Sequence, residues 1–175
     1  MNRRLPLSFP VYVTLLSWAC ITYGFPNGAP YTMCGYYVPS HNTPKPRSNE
    51  DSPYHLLVSA EYFDFREDGR DRVVVNVTSK TENVPFKGFV VAAYDGSGKP
   101  YGKWDSNPNA HQVPRCKKPA MTHNEASPKR EASLVWRPPE GEHREWGWVQ
   151  FRATVVKDMN NFWAELPHIV AKEGV

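Results

Sequence analysis

The stretch WGWVQFRATVV, residues 146–156, sets Val149, Phe151, Ala153 and Val155 on one side of an extended chain and Trp148, Gln150, Arg152 and Thr154 on the other. Successive side chains of a strand point to opposite faces, so this period of two predicts a strand with one face in a core. The same period returns in RVVVNVTSK, residues 72–80, with Val73, Val75 and Val77 inward and Asn76 and Thr78 outward. Upstream, YHLLVSAEYFDF (54–65) places Leu56, Val58, Ala60 and Tyr62 opposite Ser59 and Glu61. It reads as a half-buried strand, and the polar turn REDGRD (66–71) joins it to the next as a hairpin.

FKGFVVAAYD (86–95) is apolar nearly throughout, the pattern of a central strand covered on both faces, and GSGKPYG (96–102) closes it. ASLVW (132–136) is a short strand ended by Arg137-Pro138-Pro139. NNFWAELPHIV (160–170) adds an edge strand around Phe162 and Trp163 that Pro167 stops, leaving a short polar tail. From Trp104 to Arg130 the chain is polar and irregular, with one short strand at Ala120–His123. The 17 prolines among 175 residues fix φ and remove N–H donors, which argues against long helices. The expected fold is therefore an all-β sandwich of about seven or more strands with turns every 8 to 12 residues and long loops. One domain spans 25–175, entered through an extended Pro- and Asn-rich arm, 25–53.

The first 24 residues carry Arg3 and Arg4, then an apolar run interrupted by proline and too short to span a bilayer comfortably, then Thr22 and Gly24. That layout predicts a signal peptide cleaved after Gly24, and a secreted, extracellular chain with no transmembrane segment. Its removal takes the 21 basic side chains to 19, against 18 acidic ones. Lys117-Lys118 and Lys129-Arg130 are short, separated clusters, so the basic stripe of a nucleic-acid binder is missing.

Of the three cysteines, Cys20 lies in the signal peptide, leaving Cys34 and Cys116. An even pair in an oxidising compartment is most simply one disulfide. It would join residues 82 apart, and the chain-entropy model assigns such a loop about 4.5 kcal/mol. Neither cysteine has the close-spaced partner of a zinc site, and a nucleophilic thiol would need an activating base and freedom from oxidation. The histidines His41, His55, His111, His123, His143 and His168 are scattered without HxH or HExxH spacing, so no metal site and no cofactor is visible. GxSxG, P-loop and dinucleotide motifs are also missing, and no catalytic residue can be assigned.

Asn76-Val77-Thr78 is the only N-glycosylation sequon after residue 24, and Asn76 falls on the outward side of its strand. Most of Tyr36, Tyr37, Tyr101, Trp104, Trp136, Trp146, Trp148 and Trp163 read as packing residues. Trp148 is the best candidate for a ligand-binding ring, because it shares its face with Gln150 and Arg152. Tyr101 and Trp104, on the turn after the glycine-rich segment, come second.

A set of landmarks then falls in order: Gly28-Ala29-Pro30, Cys34, Pro39-Ser40-His41, Pro53-Tyr54, residues 86–93 as FKGFVVAA, Cys116, Thr122-His123, Trp136-Arg137-Pro138, residues 149–156 as VQFRATVV, and Phe162-Trp163. The set resembles the reeler (reelin N-terminal) domain family over roughly residues 28–165. The resemblance implies an immunoglobulin-like sandwich, pairing of Cys34 with Cys116, and structural rather than catalytic motifs. A lone reeler domain behind a signal peptide is similar to the noduler-like secreted insect defence proteins. That similarity implies a non-enzymatic haemolymph protein with antimicrobial or nodulation roles. Its expected partners are lipopolysaccharide, peptidoglycan, lipoteichoic acid or β-glucan, and the haemocyte surface. Trp104 departs from the smaller aromatic expected after Gly102. Two other classes stay open: an extracellular structural or host-protein interaction module, and a metal-dependent redox protein.

Overall fold

The computed structural model describes residues 25–39, 45–63, 72–117, 119–139, 147–166 and 169–173. The signal peptide, the REDGRD turn, His41, His143, Trp146 and the Pro167 stop lie outside them.

The described strands are β1 (Tyr54–Val58), β2 (Tyr62–Phe63), β3 (Val73–Ser79), β4 (Gly88–Tyr94), β5 (Lys103–Trp104), β6 (Ala110–Gln112), β7 (Ala120–His123), β8 (Glu131–Arg137), β9 (Trp148–Asp158), β10 (Asn161–Trp163) and β11 (Ile169–Glu173). They form two sheets. The smaller runs β1-β3-β8-β5; the larger runs β2-β11-β9-β4-β7-β6, with β10 also paired to β9. All of the pairings are antiparallel except β2 with β11.

The alternation places the core where the sequence puts it. Val73, Val75 and Val77 of β3 face Phe89, Val91 and Ala93 of β4 and Val149, Phe151, Ala153 and Val155 of β9 in one buried cluster. At its centre Trp136 is fully buried, edge-to-face with Phe63 and Phe151, its indole N–H donating 2.9 Å to the Tyr101 carbonyl. That bond satisfies the one polar group this ring brings into the core.

Three expectations are corrected. The stretch 54–65 is not one strand: after Val58 the chain leaves the smaller sheet, and β2 joins the larger one. Crossing between layers reverses which side faces the core, so Tyr62 is exposed and Phe63 buried. The tail beyond Pro167 is a strand, β11, inserted between β2 and β9. The loop 104–130 holds β6 as well as the expected β7.

Candidate functional site

Every residue of β4 is buried, so its outward side chains must be covered by something other than the opposite sheet. Val90, Ala92 and Tyr94 pack with Ala120, Val113 and Tyr37 in a second apolar cluster, flanked by Ala29, Cys34 and Cys116. The cover is therefore the N-terminal arm, folded across the outer face of the larger sheet.

Local chemistry fixes it there. Thr122, wholly buried on β7, accepts a hydrogen bond from the Ala29 amide at 2.9 Å and donates one to the Phe89 carbonyl at 2.9 Å. One hydroxyl thus joins the arm to two strands. Gly28 has φ +100, and a Cβ there would stand 2.5 Å from the His123 carbonyl oxygen and 2.7 Å from the Thr122 methyl. Only glycine allows this backbone to lie so close. Farther along, Cys34 and Cys116 form the disulfide, their Cα atoms 5.6 Å apart. The motifs GAP, TH and FKGF, dispersed along the sequence, meet at one place.

His123 sits at that junction. The Phe89 amide donates to its Nδ1 at 3.2 Å, in the tautomer that carries its proton on Nε2. Its ring also crowds Gly88, where a Cβ would lie 2.8 Å from Cε1. Burial pushes the imidazole below the usual histidine range; the carbonyls of Phe89 and Phe25 oppose that shift and the Lys129 cation adds to it.

Between arm and sheet lies a pocket of about 390 Å³. Its floor is Gly88, Val90, Thr154 and Val156, its roof includes Pro26, Pro30, Met33 and Pro39, and Phe25 and Met159 stand partly exposed at its edge. Val90 is paired on both sides of β4 and Gly88 with Val156 of β9, and the prolines of the roof have no N–H to offer. Few polar groups reach the lining: His123, Thr154, Asp158, the Tyr37 side chain and the exposed Lys87.

Along β9 the same outer face continues from Thr154 to Arg152, Gln150 and Trp148. Arg152 lies 4.9 Å from the centre of the Tyr94 ring and donates from Nε and Nη2 to Gln150 Oε1 at 2.9 and 2.7 Å. Tyr37 is buried edge-on against Tyr94, and burial raises the pKa of both phenols. Its neighbour Tyr36 instead points to solvent, 82% exposed. Trp148 is half-buried. The sequence-predicted Trp148 and Arg152 thus share a face with a pocket that no sequence pattern announced; the uniform apolarity of β4 was its one signal.

Tyr101 and Trp104 are not surface rings, which corrects the expectation for that turn. Tyr101 packs on Trp136 and Trp104 on Phe151, both inside the core. Tight reversal beside β8 turns these aromatics inward. Asn76 is half-buried on the outer face of the other sheet, between cross-strand partners Leu57 and Ser133. Among the described residues no group of three or more His, Cys, Asp or Glu side chains is placed to hold a metal ion, and no helix is long and apolar enough to cross a membrane.

The family model of the Reeler domain matches residues 32–173. Among similar proteins, "Putative defense protein 2" of Antheraea mylitta is 30% identical over 166 residues, covering 90% of this chain and 97% of that one. "Putative defense protein" of Bombyx mori is 29% identical over 143 residues, 78% of each chain. The human F-spondin reeler domain superposes with a TM-score of 0.57 at 15% identity, covering 70% of this chain and 89% of that one. At that identity the superposition speaks to the fold alone.

Proposed function

Because this chain belongs to the reeler domain family, and because relatives matching 90% and 78% of it are named "Putative defense protein", we propose that it is a secreted defence protein that binds microbial surface components without catalysis. The observation that carries the reading is the roofed apolar pocket on the outer face of the larger sheet, with Arg152 and Trp148 following it along β9. Ligand sites are concave, mostly apolar and supplied with a few polar groups at the rim, and this face has that composition. An oxidised Cys34–Cys116 pair suits an extracellular setting such as haemolymph. In this reading a glycan on Asn76 occupies the opposite sheet, leaving the arm-covered face free; an unchanged mass after glycosidase treatment would remove that part.

The test is retention of the purified, oxidised protein on lipopolysaccharide, lipoteichoic acid, peptidoglycan and β-glucan. Retention on at least one is expected, with haemocyte binding as a further readout; retention on none sinks the proposal. Trp148→Ala and Arg152→Ala are expected to weaken retention while leaving the melting temperature within a few degrees of wild type, as for other half-exposed sites. A second reading, contact with a host protein, draws on Tyr31 and Tyr36, both exposed on the arm. Loss of haemocyte binding in Tyr36→Ala with microbial retention intact would favour it.

A further inference from the structure

We propose that the pocket between the arm and the larger sheet receives one acyl chain of an anionic microbial amphiphile, whose head group stays at the mouth beside Lys87. The microbial source rests on the function proposed above; the acyl chemistry rests on the pocket.

Apart from Tyr37, Lys87, His123, Thr154 and Asp158, the lining is apolar or glycine, which favours a ligand with a long apolar part. The floor is the face of a sheet, not its edge: Val90 is paired on both sides, with Thr122 and Thr154, and Gly88 with Val156. Pro26, Pro30 and Pro39 bring no donors. A sugar ring or peptide buried here would leave polar groups without partners, at a cost an alkyl chain does not incur. The volume also matches. At about 390 Å³ the pocket lies in the range of small-molecule sites, room for an alkyl chain. Met33 and Met159 supply unbranched, polarizable side chains that follow an irregular ligand.

One cation of the lining, Lys87, can meet an anionic head group. Lys87 is exposed at the mouth; Lys129, outside the lining and influenced by the Glu125 charge, ties its Nζ to the carbonyls of Lys87, Glu125 and Ser127 at 2.9, 2.9 and 2.7 Å. The one carboxylate of the lining, Asp158, is turned onto the Asn160 amide and the Asn161 side chain at 2.9 and 2.7 Å. The pocket needs no closing motion, because the arm is held by the Ala29–Thr122 hydrogen bond on one side and the disulfide on the other.

The experiment is displacement of a fluorescent fatty acid from the purified protein by saturated fatty acids of increasing length. Affinity should rise about fourfold per methylene until the chain fills the pocket, and then level off. Val156→Trp, which fills the floor from a half-exposed position, should abolish binding. Lys87→Glu should weaken fatty acids while sparing the alcohols of the same length. Lipopolysaccharide and lipoteichoic acid should compete, and their de-acylated forms should not. Affinity independent of chain length overturns the proposal, and this series on wild type decides it if Val156→Trp fails to fold. Dimerisation that lipid does not compete assigns the pocket to a second copy and also overturns it. Retention on peptidoglycan or β-glucan without acyl binding refutes this inference and leaves the defence reading intact. Acyl binding without retention on any envelope component does the reverse.

Discussion

Replacing Gly28 with alanine tests whether the arm is a built part of the fold. The backbone at φ +100 is one that L side chains rarely adopt, and forcing alanine into left-handed space costs about 1–2 kcal/mol. The new Cβ would also stand 2.5 Å from a backbone oxygen, His123 O, and 2.7 Å from His111 Cε1 and the Thr122 methyl. Only the histidine ring can rotate away, so overpacking adds about 1–3 kcal/mol. Together these come to roughly 3 kcal/mol, or a fall of about 6–12 °C in Tm for a domain of this size. The arm can relieve the clash by lifting off β7, which breaks the Ala29–Thr122 hydrogen bond. Thermal melts followed by circular dichroism give the first number, and hydrogen exchange at the Ala29 amide gives the second. An unchanged Tm together with an Ala29 amide as protected as in wild type would refute the reasoning.

Three more outcomes follow from the same contacts. Cys34→Ser with Cys116→Ser should destabilise by up to about 4.5 kcal/mol, read as the gap between melts of the oxidised wild type and the double variant. His123 has a folded pKa below its unfolded value of about 6.5, so the unfolded chain takes up its proton first as pH falls. Its contribution is complete above about pH 6.5 and is lost below it as pH falls toward the folded value; Tm measured against pH should lose that part of its slope in His123→Gln. Trp104→Ala should cost about 3–5 kcal/mol as a core truncation, seen in urea titration, and should alter ligand retention only through unfolding.

The fold was legible wherever one face of a strand meets the core and the other meets water. β3 and β9 carry that contrast and their inward sets are buried, with outward Thr154 of β9 buried as well where the arm covers it. β4 was legible as doubly covered, but not what covers it, because Gly28 and Thr122 lie 94 positions apart and each is unremarked by periodicity. β11 was missed because Pro167 was read as the end of the last strand, and β2 for a different reason. Two residues are too few to show a period, and a strand that changes sheets reverses its inward side, so 54–65 mimics one continuous alternation. At the candidate site, Trp148 and Arg152 could be placed on the outer face from alternation alone. Tyr101 and Trp104 could not, since whether a turn presents its rings or tucks them under a neighbouring strand depends on partners such as Trp136 and Phe151.

Methionine methyls give the most direct test of the central claim that the stapled arm and the outer sheet face form a ligand pocket. Beyond residue 1 the chain has Met33 and Met159 in the pocket lining and Met121 in the sandwich core. In protein labelled with carbon-13 at methionine methyls, titration with lipopolysaccharide or lipoteichoic acid should shift the Met33 and Met159 signals and leave Met121 in place. Binding that leaves Met33 and Met159 unmoved would contradict the account.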